Sequence, residues 1–336
     1  MKKLGLFLVI VIGFTACKDK INKISELNSN FYEFKETAIH VGDTLQITFQ
    51  NHVEKIDSVV LLLNEKRIQN NAVIDFKNAH LGMNKLQMKV YIDGDFIWAD
   101  TQMPILSSIE EAEITYKVVN KFPHPTELFT QGFLFHNDKI YESGGQLKRS
   151  KLVTYKLGST QYLQETKQSD QTFSEGIALI NNKIYQLTYR QRDIFVYDVE
   201  TLQLEKTLRL PDFVREGWGL TSNGSELLVS DGSQFIYFFD ESFNLKRKIQ
   251  VAGNVSIFTH INEMEFIDGK IYANVFTTNY ILIIDPNTGA VEQFYDLTAL
   301  SETKGSEDVL NGIARYGNNI LVTGKNWSTI YEIETE

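Results

Sequence analysis

The sequence is poor in the residues from which small reactive or metal sites are usually built. It has one cysteine, Cys17, in 336 residues. A single thiol excludes an internal disulfide and any cysteine-based zinc site. Its six histidines, His40, His52, His80, His124, His136 and His260, are scattered, and none pair at a metal-ligand spacing such as H-x-x-x-H. Positive charge is in deficit, with a formal net charge of −10. An acidic surface repels phosphate backbones, so nucleic acid is not an expected partner. The chain does not lack apolar residues: at 43% hydrophobic it can bury a core and is not a disordered polymer. Its length exceeds one typical domain and is within reach of two.

The opening "MKKLGLFLVIVIGFTAC", residues 1–17, has a basic start, an apolar run and small residues at its end. That is the layout of an export signal, and the run is short for a membrane span. Phe14-Thr15-Ala16-Cys17 resembles a bacterial lipobox. The resemblance implies cleavage before Cys17, acylation of its thiol and an exported protein lipid-anchored to the cell envelope, on its periplasmic or outer-membrane face. A plain secretory signal with an incidental cysteine is the alternative. Residues 18–30, "KDKINKISELNSN", are polar and read as a tether. Residues 31–105 carry short strand patterns with an Asp93-Gly94 turn signal and no helix. They predict a small β-sandwich of immunoglobulin-like size, a spacer or adaptor with no evident chemistry.

From residue 113 to 336 the sequence repeats. "QGFLFHNDKIYESGG" from Gln131, "EGIALINNKIYQLTY" from Glu175, "WGLTSNGSELLVSDG" from Trp218, "NEMEFIDGKIYANVF" from Asn262 and "NGIARYGNNILVTGK" from Asn311 align, with steps of 44, 43, 44 and 49 residues. Each is two strands around an Asn/Asp/Gly turn, followed by an aromatic or branched third strand. In four cases a more polar fourth strand comes next. Four strands per repeat predict the blades of a five-bladed β-propeller, so the fold class is all-β. The last repeat runs out of sequence after its third strand. "EITYKVVNKF", from Glu113 to Phe122, is the spare strand that would complete it and remove two open sheet edges. A solenoid of the same units would need capping repeats.

In a propeller the first strand of each blade lines the axis and the second returns antiparallel. The start of the first strand and the end of the second therefore share one mouth. The alignment names two rings there: Gln131, Glu175, Trp218, Asn262 and Asn311, then Gly145, Tyr189, Gly232, Phe276 and Lys325. Any one polar residue at an axis is explained by a water-filled channel. A carboxylate, an ammonium, three amides and three aromatics together describe a small-molecule pocket. Phe129 and Phe173, two residues before ring positions, add aromatic wall or serve as inter-blade packing. Glu216, Glu263, Glu265, Asp231 and Asp308 read as structural. Of these Glu263 stands out, because it occupies a glycine position of the repeat. Asp198, Asp240 and Asp285 end third strands and fit turn-capping roles.

At these residues the chain resembles a known family. "FTQG", "EGIALINNKIYQLTY", "EGWGLT", "SDGS", "NEMEFIDGKIYANV", "IDPNTGAV" and "DVLNGIA…VTGK" are similar, in order over residues 115–336, to the plant and bacterial glutaminyl-peptide cyclotransferases. The resemblance implies a five-bladed propeller that converts N-terminal glutamine of peptides or proteins to pyroglutamate and releases ammonia. Carried over by motif, it falls on Gln131, Glu175, Trp218, Asn262 and Lys325, all members of the two rings. For that reaction Glu175, Lys325 and Asn262 are the candidates for catalysis, and Gln131, Phe129, Phe173, Tyr189, Trp218, Phe276 and Asn311 those for substrate binding. Tyr189 and Phe276 stand where the family usually has tryptophan, which implies a wider and less rigid pocket. The scheme needs no metal; a divalent ion in the channel would be structural. Two other functions fit parts of the pattern. One is a peptide- or glycan-binding propeller with a decayed pocket. The other is a metal-dependent propeller hydrolase using Glu175, Asn262 and Asn311 around an ion, which Lys325 would oppose.

Overall fold

The computed structural model of the chain describes residues 21–302 and 305–335. The export-signal segment 1–17, with Cys17, lies outside the described residues. Residues 130–335 form five sheets in which sequence neighbours are sheet neighbours. Blade I is Thr130–His136, Lys139–Gly144, Lys151–Lys156 and Tyr162–Lys167, each antiparallel to the next. Blades II, III and IV repeat that order over 174–209, 220–250 and 261–296, and blade V begins at 310. The inner three strands are buried and the fourth is mostly exposed, as its polar sequence requires.

What holds the blades together is face-to-face apolar packing. Leu134, Tyr141 and Leu152 of blade I pack on Ile177, Ile184 and Tyr197 of blade II. Each further pair of neighbours has its own cluster, including Phe133, Ile140 and Tyr155 of blade I against Ala314, Leu321 and Ile330 of blade V. That last cluster makes the arrangement a ring. Fully burying one such side chain stabilises the fold by about 1.5–3 kcal/mol.

The ring is closed by a strand from ahead of blade I. Tyr116–Pro123 lies antiparallel on Thr329–Thr335 as the fourth strand of blade V. Just before it, Ala112–Glu113 pairs in parallel with the outer edge of blade IV. The closing strand ends on a buried ion pair. His124 Nε2 meets both oxygens of Glu142 at 3.1 Å, and Nδ1 bonds the Trp327 carbonyl at 2.8 Å. With acceptors on both nitrogens the imidazole carries two protons. Glu142 also accepts from the Thr130 and Tyr155 hydroxyls at 2.7 and 2.6 Å. Blades I and V and the closing strand thus meet at one charge pair.

At the axis the first strands approach so closely that a Cβ on Gly219 would overlap the Asn262 carbonyl oxygen. In four blades the register slips by one residue at the ring position: between Thr130 and Gly132, Ser174 and Ile177, Ile261 and Met264, and Leu310 and Ile313. These bulges bend the strand and re-aim the ring side chains, toward the mouth in blades I, II and IV. Glu263, at the glycine position of blade IV, crosses the axis. Its carboxylate accepts from Phe133 N at 3.3 Å and Ile313 N at 2.9 Å. Burial first, then the nearby Glu265, pushes its pKa up, while these two donors oppose the rise.

The amino-terminal module is a five-stranded sheet whose long strands are Ile56–Leu63, Gly82–Ile92 and Asp95–Leu106. Alternate residues Leu86, Met88, Val90, Met103 and Ile105 face a thin second layer, the Thr44–Leu45/Ala72–Val73 ribbon and two 3-10 turns. The expected tether, 18–30, is folded from Ile21 onward. Ile21, Ile24 and Leu27 recur every third residue and are buried in this core. The spacing fits a 3-10 turn, whose side chains repeat at i and i+3. The module also docks on the propeller. Gln250 bonds Met83 N and O at 3.0 and 3.1 Å, and His40 Nε2 bonds the Asn254 carbonyl at 2.9 Å.

The His124–Glu142 pair makes a stability prediction. Burial lowers the imidazolium's pKa, but the charge and hydrogen bond of Glu142, with the Trp327 carbonyl, more than offset it, so the net shift is upward. A raised folded value means the stabilisation is complete below the unfolded pKa of about 6.5 and is lost as pH rises through the folded value. His124→Ala, which strands Glu142, is expected to lower unfolding free energy by about 3–5 kcal/mol at pH 6 and to flatten the pH dependence. Urea unfolding at pH 6 and pH 9 checks this; parallel pH curves for the two proteins would refute the pairing.

Candidate functional site

One mouth of the ring opens into a cavity of about 240 Å³. It is smaller than the roughly 300–1,000 Å³ of drug-sized sites, so it suits one amino-acid residue. Phe129, Gln131, Phe173, Glu175, Tyr189, Trp218, Asn262, Phe276 and Lys325 line it, together with Glu307. Nine of the ten residues expected at the site are therefore brought together by five blades.

Asn311 is the exception. It is fully buried and turned away, with Nδ2 donating to the Thr130 carbonyl at 2.8 Å and to Gln131 Oε1 at 3.2 Å. The bulge at 310–313 sends its side chain under blade I, so it orients Gln131 from behind. This also removes one member of the Glu175/Asn262/Asn311 oxygen set that a metal-dependent hydrolase would use. Among the described residues, no three His, Cys, Asp or Glu side chains converge as metal ligands.

The walls are aromatic and interlocked. Trp218 meets Phe276 edge to face at 5.7 Å, Phe173 lies 5.8 Å from Tyr189, and Phe129 meets Phe173 edge to face at 6.3 Å. Two ring positions are glycine because the rings lie across them. A Cβ on Gly145 would sit 2.7 Å from Phe173, and one on Gly232 2.6 Å from Trp218. Tyr189 is held from outside: the Arg190 guanidinium lies 4.9 Å over its ring and bonds Glu216 at 2.9 Å. Glu216 in turn accepts from Trp218 Nε1 at 3.1 Å. Tyr189 is thus braced across the rim and does not form a loose wall.

Two charged groups sit inside this apolar shell. Glu175 is 4% exposed and Lys325 3%. Burial drives the Glu175 pKa well above the carboxylate range; Lys325 opposes that and Glu216 adds to it. Burial also lowers the Lys325 ammonium to about 8, against the raising charges of Glu175 and Glu307. The ammonium lies 4.7 Å from the ring centres of both Phe129 and Phe276, where ring quadrupoles replace part of its lost hydration. Asn262 lines the cavity with its Oδ1 buried and without a partner among the described residues. An acid raised and a base lowered toward neutrality, in one water-poor cavity, are suited to moving a proton at neutral pH.

Glu307 was not singled out by the repeat pattern, because it lies in the loop before blade V and outside every strand. The turn residues around it have structural roles. Asp308 binds Asn326 and, through its carbonyl, Trp327 Nε1, while Asp231 accepts from Ser233 and Tyr237. Asp198, Asp240 and Asp285 each accept from two backbone N–H groups of the turn that follows.

Because Glu307 raises Lys325 by its charge, Glu307→Gln is expected to shift the lysine titration below about 8. Carbon-detected NMR of the lysine Cε resonances over pH 6–10 checks this. An unchanged midpoint would mean that Glu307 does not face Lys325.

The family model described as glutamine cyclotransferase matches residues 96–335 of the chain. The glutaminyl-peptide cyclotransferase of Arabidopsis thaliana is 32% identical over 229 residues, covering 65% of this chain and 70% of that protein. The crystal structure of Myxococcus xanthus glutaminyl cyclase is similar with a TM-score of 0.63 and 32% identity, over 68% of this chain and 99% of that one.

Proposed function

The chain belongs to the glutamine cyclotransferase family, and from its cavity we propose that it converts the N-terminal glutamine of peptides or proteins to pyroglutamate with release of ammonia. The observation that carries this reading is the buried Glu175 beside the buried Lys325, facing one aromatic cavity with their pKa values shifted toward each other.

The reaction is intramolecular. The α-amine nitrogen attacks Cδ of its own side-chain amide, a C–N bond closes a five-membered lactam, and the original amide C–N bond breaks. The tether already supplies proximity, so the enzyme's part is to hold the near-attack conformer and handle charge. An α-amine has a pKa of about 7.7–8.0, so a reactive unprotonated fraction exists at neutral pH. We assign to Glu175 the acceptance of the amine proton as the bond forms. The same carboxyl then delivers a proton to the departing nitrogen, which leaves as ammonia. Lys325 and the Asn262 amide donate to the tetrahedral oxyanion. Gln131, held by Asn311, orients the substrate amide or peptide carbonyl. Phe129, Phe173, Tyr189, Trp218 and Phe276 wall the glutamine side chain and exclude water. No step of this scheme draws on a metal ion.

For the amino terminus we propose export and anchoring to the cell envelope through a lipid on Cys17. The support is the sequence of residues 1–17 alone. Cys17→Ser is expected to move the protein from the membrane fraction to the soluble fraction of the envelope; unchanged membrane association would count against the anchor.

Ammonia release from a Gln-initiated dipeptide tests the activity. Glu175→Gln is expected to lower kcat by about 10²–10⁴-fold without loss of fold, since it removes a desolvated carboxylate. A chelator should leave the wild-type rate unchanged. The wild-type rate should rise as Glu175 ionises, above the ordinary carboxylate range, and fall as Lys325 loses its proton near about 8. Wild-type protein that releases no ammonia would leave a binding propeller in its place; loss of activity with chelator would favour metal-dependent chemistry.

A further inference from the structure

The chain carries a net charge of −10, yet four cations line one cleft of about 270 Å³ on the propeller. They are Lys148, Arg149, Lys151 and Lys167, and the carboxylates of Glu127 and Asp170 share the lining. The cleft continues the wall of the catalytic cavity outward along the loops of blade I. Three segments run from one to the other: Glu127 to Phe129, Lys148 back to Gly145, and Asp170 to Phe173. Backbone bonds fix this continuity, with Gly145 N on the Phe129 carbonyl at 2.8 Å and Lys148 N on the Asp170 carbonyl at 3.0 Å.

The cations differ in how they are occupied. Lys151 is paired with Glu165 at 3.1 Å, and Lys167 approaches the same carboxylate at 4.0 Å. Among the described residues Arg149 donates only to neutral oxygens, Gln146 Oε1 and the Glu127 carbonyl, both at 3.0 Å. These two bonds hold the guanidinium plane and leave other N–H groups to spare. Lys148 has no carboxylate partner among the described residues. It stands on a backbone with φ of 67°, and Gln146 at 80°, in a loop that non-glycine residues seldom adopt. Glu127, the opposing acid, is occupied by the Tyr162 hydroxyl.

We propose that this cleft is a subsite for an acidic side chain of the substrate, two or three residues after the glutamine. The inference rests on the cyclotransferase reading and adds a substrate class to it. The reach is set by geometry. The cleft begins two to three residues out from the cavity wall, and an extended peptide advances about 3.3 Å per residue. A peptide whose glutamine fills the cavity and whose chain leaves over the loops of blade I puts its third or fourth side chain over Lys148 and Arg149. The charges are solvent-facing, so the preference is of surface strength and weakens with salt.

The test compares kcat/KM for Gln-Ala-Glu-Glu-Ala, Gln-Ala-Lys-Lys-Ala and the dipeptide Gln-Ala, by ammonia release at low ionic strength. The acidic peptide is expected to exceed the basic one by roughly three- to tenfold, with the gap shrinking in high salt. Lys148→Glu with Lys167→Glu should abolish or invert that ratio and leave Gln-Ala turnover unchanged. Lys66→Glu with Lys77→Glu, the same charge change on the amino-terminal module, should preserve the ratio. Equal rates on the two peptides, with Gln-Ala turned over, would overturn the subsite and leave the cyclotransferase standing. A preference that survives the Lys148/Lys167 changes would overturn its location in this cleft. Failure to turn over any of the three would remove the cyclotransferase premise, and the subsite with it.

Discussion

The convergence of five first strands on one axis is the constraint from which the other features follow. Backbones meet there with no room for side chains at the position after each ring residue, which is why four of the five repeats have glycine there. The fifth has Glu263, whose carboxylate spans the gap and satisfies N–H groups of blades I and V. Burying a carboxyl group is unfavourable, and the bonds it accepts from Phe133 N and Ile313 N offset part of that cost. The one-residue bulges beside these positions then turn Gln131, Glu175 and Asn262 into a common mouth. A site made of residues far apart in sequence exists only because the axis is this narrow.

The same crowding gives the cavity its electrostatics. Aromatic rings close over glycine positions and displace water from around Glu175 and Lys325. Each charge is deprived of solvent, and each moves toward the neutral range by that cause first. A carboxylate and an ammonium kept this dry weaken the fold, and the inter-blade clusters and the closing strand supply the offsetting stability. Closure matters for function as well as for stability. The His124–Glu142 pair binds the Thr130 hydroxyl, Thr130 precedes Gln131, and Asn311 bonds both of those residues. The joint that seals the ring is therefore also the support of the cavity wall.

Much of this was legible in the sequence, because a repeat of about 44 residues converts alignment columns into rings in space. The blade count, the spare strand and nine cavity residues follow from that periodicity. Asn311 belongs to its ring but not to the cavity: a column fixes where a Cα lies, while the partners a side chain finds, here Thr130 O and Gln131 Oε1, decide where it points. Glu307 was invisible because it sits in a loop outside the repeat. Residues 21–30 read as a tether in sequence because their polar content hides three apolar residues at a spacing of three. The brace of Arg190 on Tyr189 has no signal in sequence, since Arg190 does not depart from ordinary surface composition.

By itself the sequence determined the architecture and the chemistry available at the mouth. Strand periodicity is a local property, and repetition carries it to the whole domain without knowledge of any distance. Only the tertiary structure decided which groups are dry, which are paired and which way each amide faces. Those depend on packing between segments 40 or more residues apart, such as Glu263 against Phe133 and Ile313 or Lys325 between Phe129 and Phe276. Proton affinity follows solvent exclusion and neighbouring charge, and neither is encoded in any one stretch of chain.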